Sequence, residues 1–292
     1  MHGSILDKYS LSHINVTHVS QQFWCERQVE LSLAFPKEDT AETIAGKEIH
    51  RDLLLELASE TEVRTMTRDD AIYVLMLNIS NGLEQLLAEG ITRELYVFGK
   101  AAGFPIAGII DELSLKEGRI IILDHKTRLK PSLPPPPSVR PTEVQLMLYH
   151  KLLEDLVRGN YSYEDFVLDA KLESPGNISA ELKEQLEQAG MHVTEVSVEK
   201  LARGVFDAFR RLPPLSDFLI ARYIHQGTGD HIGDKAILYD PGLIEEKLAH
   251  AEEFWAGRRK SIKAGFREKW KCNYCEYRDA QCTEKTGASA IN

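Results

Sequence analysis

Cysteine is scarce in this chain, with four in 292 residues, and three of them crowd together at Cys272, Cys275 and Cys282. So few, so unevenly placed, exclude a disulfide-built secreted scaffold. No run of about 18 apolar residues occurs, which excludes a helical membrane span. The opening MHGSILDKYS lacks a basic start followed by an apolar core, and it lacks the Arg-rich, acid-poor character of a mitochondrial leader. An intracellular protein without a membrane partner is expected. Net positive charge is also missing, at −10 overall. That excludes a surface coated in phosphate-binding residues, but affinity for nucleic acid depends on local patches. One such patch is present: Arg258, Arg259, Lys260, Lys263, Arg267, Lys269 and Lys271, opposed by Glu268, on what reads as a helix face. With 43% hydrophobic and 27% charged residues the rest is ordinary for a globular chain large enough to bury a core.

The stretch FPIAGIIDELSLKEGRIIILDHK, residues 104–126, reads as a hairpin turning at Glu117-Gly118. A two-residue loop there pairs Lys116 with Arg119 and brings Asp111 opposite Asp124. Alternation then puts Asp124 and Lys126 on one face beside Asp111. Two carboxylates directly opposed destabilise a hairpin unless something positive lies between them. A divalent cation is the natural candidate, with Lys126 as a fixed positive neighbour.

Asp111 followed by Asp124-His125-Lys126 resembles the PD-(D/E)XK nuclease motif. Gln145-Leu-Met-Leu-Tyr149, on a helix predicted over 142–158, resembles the QxxxY motif of the RecB-like branch of those nucleases. Gly46-Lys-Glu-Ile-His50 resembles the same branch's helical histidine motif. Cys25 near the start with Cys272, Cys275 and Cys282 near the end resembles the iron–sulfur staple of part of that branch, although four thiolates suit zinc equally on spacing alone. The order of strand hairpin, DHKTR, long helix and late RYIHQ hairpin is similar to the exonuclease V family. One departure is Asp124, where the branch more often has Glu.

The resemblance implies an α/β fold: a PD-(D/E)XK core with a mixed sheet flanked by helices, and a terminal iron–sulfur module. It implies that His50, Asp111, Asp124 and the His125 backbone carbonyl hold one or two Mg²⁺ or Mn²⁺ ions. Lys126 would orient water or stabilise developing charge, and Gln145 and Tyr149 would position the strand or the lysine. Glu94 is expected close to the site but outside the ligand set. The implied activity is a single-stranded DNA exonuclease of repair or replication, working as a monomer alongside single-strand-binding or repair proteins. A CRISPR-associated nuclease of the same branch would share these motifs, and a non-catalytic DNA-binding scaffold is the reading from another class.

The remaining chain fits around this core. Residues 1–38 would form an N-terminal segment with one cluster cysteine, 39–254 the core, and 255–292 the basic and cysteine-rich closure. A helix capped by Asp39 and Glu42 is expected to run to about Ser59, burying Ile44, Ile49, Leu53 and Leu54, with His50 one turn after Gly46. A second helix spans 69–89, and a strand follows with Glu94, Tyr96 and Phe98 on one side. Six prolines in 131–141 predict a stiff extended loop, with Thr127, Arg128 and Lys130 placed to meet phosphates. Residues 179–188 and 197–211 read as helices, 217–225 and 231–239 as strands. Tyr149 and Trp270 are candidate stacking surfaces for bases, and Arg258, Arg259 and Lys260 candidate phosphate contacts.

Overall fold

The computed structural model describes residues 3–58, 62–172, 175–278 and 281–282. Its elements run α1 (Ile5–Tyr9), β1 (Ile14–Asn15), α2 (Val16–Ala34), α3 (Ala41–Leu55), α4 (Arg68–Glu89), β2 (Ile91–Ala101), β3 (Phe104–Lys116) and β4 (Arg119–Arg128). They continue through α5 (Pro136–Arg158), α6 (Tyr163–Asp169), α7 (Ala180–Gln188), α8 (Val198–Arg210), β5 (Phe218–His225), β6 (His231–Leu238) and α9 (Pro241–Trp255) to a 3-10 segment, Phe266–Tyr274.

β3 is the spine of the sheet. β2 runs antiparallel along one of its edges, from Ala101↔Phe104 to Ile91↔Ser114. Its other edge is shared: β1 pairs in parallel with Ile106 and Ala107, and β4 pairs antiparallel with Glu112–Lys116. At Leu123 β4 leaves β3 and runs parallel to β5, which pairs antiparallel with β6. The mixed sheet therefore forks between Asp111 and Asp124. α4 packs on β2 and β3, α5 on α2 and on β2, β4 and β5, and α3 on β2 and β4. Between sheet and helices, Met76, Leu83, Ile110, Leu113, Leu146 and Leu152 are almost completely buried.

Two tight turns set the registers. Glu117 and Gly118 have φ of 51° and 74°, and Ala102 and Gly103 have 52° and 74°. Positive φ at both central residues is the type I′ pattern that matches strand twist. Glycine adopts it freely, whereas Ala102 pays about 1 kcal/mol for its Cβ. α4 has a reciprocal Thr67–Asp70 capping box and ends on Gly90 at φ 78°.

Several expectations are corrected. α5 begins at Pro136, inside the stretch expected to be an extended loop, because prolines at the first two helical positions need no N–H partner. Pro141 is also helical, at the cost of one backbone bond. α3 is capped by Thr40, not Asp39, which instead pairs with Lys47 at 2.5 Å. α3 ends at Leu55, and Ser59 lies outside the described residues. None of its residues is buried, and Ile44 is 48% exposed, since the helix covers a polar cleft instead of the apolar core. Residues 258–265 are not helical, so of the basic stretch only Arg267, Lys269 and Lys271 lie on a helix, the 3-10 segment. No helix among the described residues is long and apolar enough to cross a membrane.

Candidate active site

The fork in the sheet opens into a cleft of about 820 Å³ between α3 and β4, lined by Gly46, His50, Glu94, Asp111, Lys126 and Thr127 among others. Where β4 leaves β3, the His125 N–H has no strand partner on that side, and Asp111 Oδ2 accepts it at 2.6 Å. Asp111 Oδ1 lies 3.8 Å from His50 Nδ1, and Glu94 Oε1 lies 3.5 Å from the same nitrogen. Among the described residues, His50, Glu94 and Asp111 are the one group of three or more His, Cys, Asp or Glu side chains whose donor atoms all fall within 4.8 Å of one another. The other ring nitrogen of His50 is 3.0 Å from the His125 carbonyl oxygen. Gly46 keeps α3 low over β4, since a Cβ there would sit 3.1 Å from Thr127 Oγ1.

Glu94 belongs to this group because its backbone leaves the strand conformation, with φ 54°. It is skipped in the β2–β3 ladder, between Arg93↔Glu112 and Leu95↔Ile110. A left-handed residue in mid-strand is strained by roughly 1–3 kcal/mol, a feature that gathers at functional sites. The expected common face for Glu94, Tyr96 and Phe98 is broken there. Arithmetic could have placed it: a turn at Ala102-Gly103 puts Glu94 opposite Asp111, as the turn at Glu117-Gly118 puts Asp111 opposite Asp124.

Lys126 and Asp124 form the second half of the site. The Lys126 ammonium lies 2.9 Å from Asp124 and donates to Gln145 Oε1 at 3.0 Å. Gln145 Nε2 in turn faces the Tyr149 hydroxyl at 3.4 Å. Tyr149 is 3% exposed and lies under Gly108, where a Cβ would meet its ring at 2.9 Å. It cannot stack on a base from that position, which corrects the expectation for it. Asp124, 1% exposed, accepts from the Lys126 ammonium at Oδ1 and lies outside the three-donor group, while its buried Oδ2 has no hydrogen-bond partner among the described residues.

The charges are frustrated in a telling way. Burial, then the charge of Asp124, pushes the Asp111 carboxyl up to about 7, against the pull of His50 and Lys126. His50 is raised, first by its hydrogen bond to Glu94, with Asp111 and Asp124 adding to it and burial opposing. Burial alone would lower Lys126, but Asp124 and Asp111 more than offset it. A protonating acid beside a raised imidazole is what carboxylates do when too little positive charge lies among them. The donor set, one imidazole and two carboxylates, fits a hard divalent cation, while the His125 carbonyl expected among the donors is engaged by the far ring nitrogen of His50.

Beneath lies a network that the motifs did not reveal. Glu112 accepts from Arg93 at 3.1 Å and Ser114 at 3.0 Å and meets His125 Nε2 at 3.2 Å. Against its own burial, these partners hold Glu112 down at about 2. Arg93 also reaches the Leu53 carbonyl and Glu56, anchoring the end of α3. The His125 side chain is thus committed to Glu112, and only its backbone faces the cleft.

The cysteines form a separate cluster. Cys25 interrupts α2 with φ −161° and ψ 108°. Burial raises the Cys275 thiol, and the nearby thiols of Cys25, Cys282 and Cys272 raise it further. The two chain ends are joined around them by Lys271 Nζ to the Trp24 carbonyl at 3.1 Å and the Tyr277 hydroxyl to the Phe35 carbonyl at 3.2 Å. Arg259 chelates the buried Glu26, and Arg258 pairs with Glu252 and Glu253, so neither is the open phosphate contact expected of it. Arg128 is partly buried, while Lys130 and Lys260 are exposed.

Comparison with known proteins covers almost the whole chain. The family model for exonuclease V, described as a 5′ deoxyribonuclease, matches residues 6–119, 115–205 and 194–283. Exonuclease V of Danio rerio is 31% identical over 284 residues, spanning 94% of this chain and 71% of the relative. Among solved structures, an exonuclease candidate from Eubacterium rectale matches at 10% identity and a TM-score of 0.41, over 98% of this chain and 97% of that one. The crystal structure of SSO0001 matches at 13% identity and a TM-score of 0.38, over 90% and 83% respectively.

Proposed function

The chain belongs to the exonuclease V family, and on that premise we propose that it is a divalent-metal-dependent exonuclease that degrades single-stranded DNA from a 5′ end. The observation that carries the reading is the convergence of His50, Glu94 and Asp111 within 4.8 Å, on the same cleft as Lys126. His50, Glu94 and Asp111 would hold Mg²⁺ or Mn²⁺, with the His125 carbonyl orienting the His50 ring from its other nitrogen. Such an ion lowers the pKa of a coordinated water and neutralises charge on the scissile phosphate.

The chain's own residues do the rest. The His125 N–H fixes Asp111 so that its second oxygen faces the cleft. Asp124 and Gln145 hold the Lys126 ammonium in place, where it orients the attacking water and stabilises charge on the phosphoryl oxygens as the P–O bond breaks. Gln145 and Tyr149 act on the lysine and not on the strand, because both are buried. Thr127 and Lys130, at the end of β4 and just beyond it, are the residues we assign to neighbouring phosphates.

We assign a four-iron–four-sulfur cluster to the cysteines. The split of one cysteine near the start and three near the end, which resembles the iron–sulfur staple of RecB-like nucleases, supports this choice over zinc. The thiols of Cys25, Cys282 and Cys272 also lie near enough to add to the burial that raises the Cys275 thiol. The cluster would tie residue 25 to residues 272–282 and close the fold.

The test uses linear single strands, circular single strands and blunt duplex with Mg²⁺. Linear strands should be digested, circles spared, and a bulky block on the 5′ end should protect more than one on the 3′ end. Activity should fall with salt as phosphate contacts release counterions. Rapid cutting of circles would replace the exonuclease reading with an endonuclease, and no cutting of any form would leave a DNA-binding scaffold.

A further inference from the structure

The 3-10 segment beside the cysteines carries three aromatic side chains at intervals of four, Phe266, Trp270 and Tyr274. Their exposures are 87%, 38% and 73%, unusual for large rings in a folded chain. Trp270 is anchored edge-on against Trp24 of α2, with ring centroids 5.3 Å apart, and Tyr274 stands edge-on to Trp270 at 6.4 Å. The buried Lys271 ammonium fixes the segment from below, through the Trp24 carbonyl and Glu268. Around the rings cations outnumber anions, and Glu268 is already engaged by Lys271. Lys263 and Arg267 are exposed and have no ion-pair partner among the described residues, and Lys269 lies 5.6 Å from the centre of the Phe266 ring.

We propose that Phe266, Trp270 and Tyr274 form an exposed aromatic ridge whose rings take up bases of a single DNA strand, while Lys263 and Arg267 follow its phosphates. This rests on the nuclease reading above and extends it to a second contact surface outside the cleft. Charge decides the occupant: a chain of net charge −10 that gathers cations around exposed rings is complementary to a polyanion with flat faces. Aromatic platforms with interleaved cations bind single strands with little sequence preference, because every base has a π-face. The ridge also connects to the site. Arg140, on the helical turn before Gln145 in α5, lies 3.5 Å from Glu268 within the ridge segment. A strand lying on the rings would thus continue along the end of α5 that holds Lys126 in position.

The experiment uses the full-length holoprotein in Ca²⁺, where cleavage is suppressed, with fluorescent oligothymidylates. A Phe266→Ala/Tyr274→Ala variant should lose about tenfold or more in affinity for strands of roughly 20 nucleotides and little for strands of roughly 4. Both rings are largely exposed, so folding is not at stake. Phe266→Trp/Tyr274→Trp should keep wild-type affinity, and Arg267→Ala should reduce the salt slope by about one. 2-Aminopurine placed in the longer strand should be quenched by wild type and not by the double alanine variant. Equal affinity of the wild type and the double alanine variant for the longer strand, or an equal loss for an abasic strand of the same length, would overturn the ridge while leaving cleavage intact. Ring-dependent binding by a protein that cuts no strand in Mg²⁺ would instead uphold the ridge and refute the nuclease reading.

Discussion

Glu94 and Asp111 face one another across the skipped rung of the β2–β3 ladder, and both turn their carboxylates to His50. Positive φ makes Glu94 separable into a backbone part and a chemical part. Glu94→Gly should fold at least as stably as wild type, because glycine relieves about 1 kcal/mol or more of left-handed strain. Cleavage should nevertheless fall by about 100-fold and demand more metal, as expected when a carboxylate at a metal site is removed. Melting curves and metal titrations of activity on the same preparation check both halves.

Lys126→Ala and Asp111→Asn should each reduce cleavage below detection while leaving affinity for single strands within a few-fold. Gln145→Ala should cost about 10- to 100-fold in kcat with little change in KM, since Gln145 steadies the lysine and does not touch the strand. Tyr149→Phe should be much milder, because the hydroxyl it loses is 3.4 Å from Gln145. Single-turnover kinetics alongside binding measurements separate these outcomes.

Arg259 tests the difference between a DNA contact and a structural clamp. Glu26 is 3% exposed and accepts from Arg259 and from the Ile262 N–H. Arg259→Ala should destabilise the protein by about 3–5 kcal/mol by stranding a buried carboxylate. The salt dependence of DNA binding should barely move, in contrast with Arg267→Ala. Denaturant unfolding and salt titration give opposite patterns for the two variants.

Asp70 predicts an acid limit. Its buried carboxylate accepts from the backbone N–H groups of Met66, Thr67 and Ser179 and from the Ser179 hydroxyl, joining the start of α4 to the start of α7. Against burial, these bonds lower its pKa. A depressed carboxyl stabilises the fold fully above its unfolded value of about 4 and loses that contribution as pH falls through the folded value. Asp70→Asn should therefore be less stable near neutrality, with the gap from wild type closing as the pH drops below about 4. Equal losses at both pH values would argue against this account.

The cofactor assignment predicts a brown protein when purified without oxygen, absorbing near about 400 nm with about four irons per chain. Cys25→Ser should release the iron and lower thermal stability, since the loop from Cys25 to Cys272 gives a cross-link worth roughly 5 kcal/mol by chain entropy. Stoichiometric zinc without iron would overturn the assignment.

The cleft was legible where chemistry and register coincide. Glu117-Gly118 announces its turn, and counting outward gives the register from Lys116↔Arg119 to Glu112↔Leu123, whereas the next expected rung, Asp111 opposite Asp124, is where the two strands part. The turn at Ala102-Gly103 is not legible in the sequence because alanine rarely takes positive φ, and without that turn Glu94 reads as an ordinary strand residue. Arg93 and Glu112 were hidden because a charged pair in a strand looks solvent-facing until a helix is known to cover it. α6 and α9 had signals in Ser162–Asp165 and Asp240-Pro241, a capping box and a capped proline start. Lys271 and Arg259 show the limit of charge counting, for each looks like a DNA contact and is buried or clamped against the N-terminal helix.

Each of the two turns that fix the carboxylates is only two residues long, and both are remote from the chemistry. Glu94 is eight residues from Ala102 and Asp111 six from Glu117, or about 27 and 20 Å along extended strands. Side chains alternate, so one residue added to either turn would carry a carboxylate to the opposite face of the sheet without touching the cleft. Turn length here acts as a ruler. These two hairpins therefore admit compensated changes only, since the same slip would also turn buried residues such as Leu95, Ile110 and Leu113 away from the core.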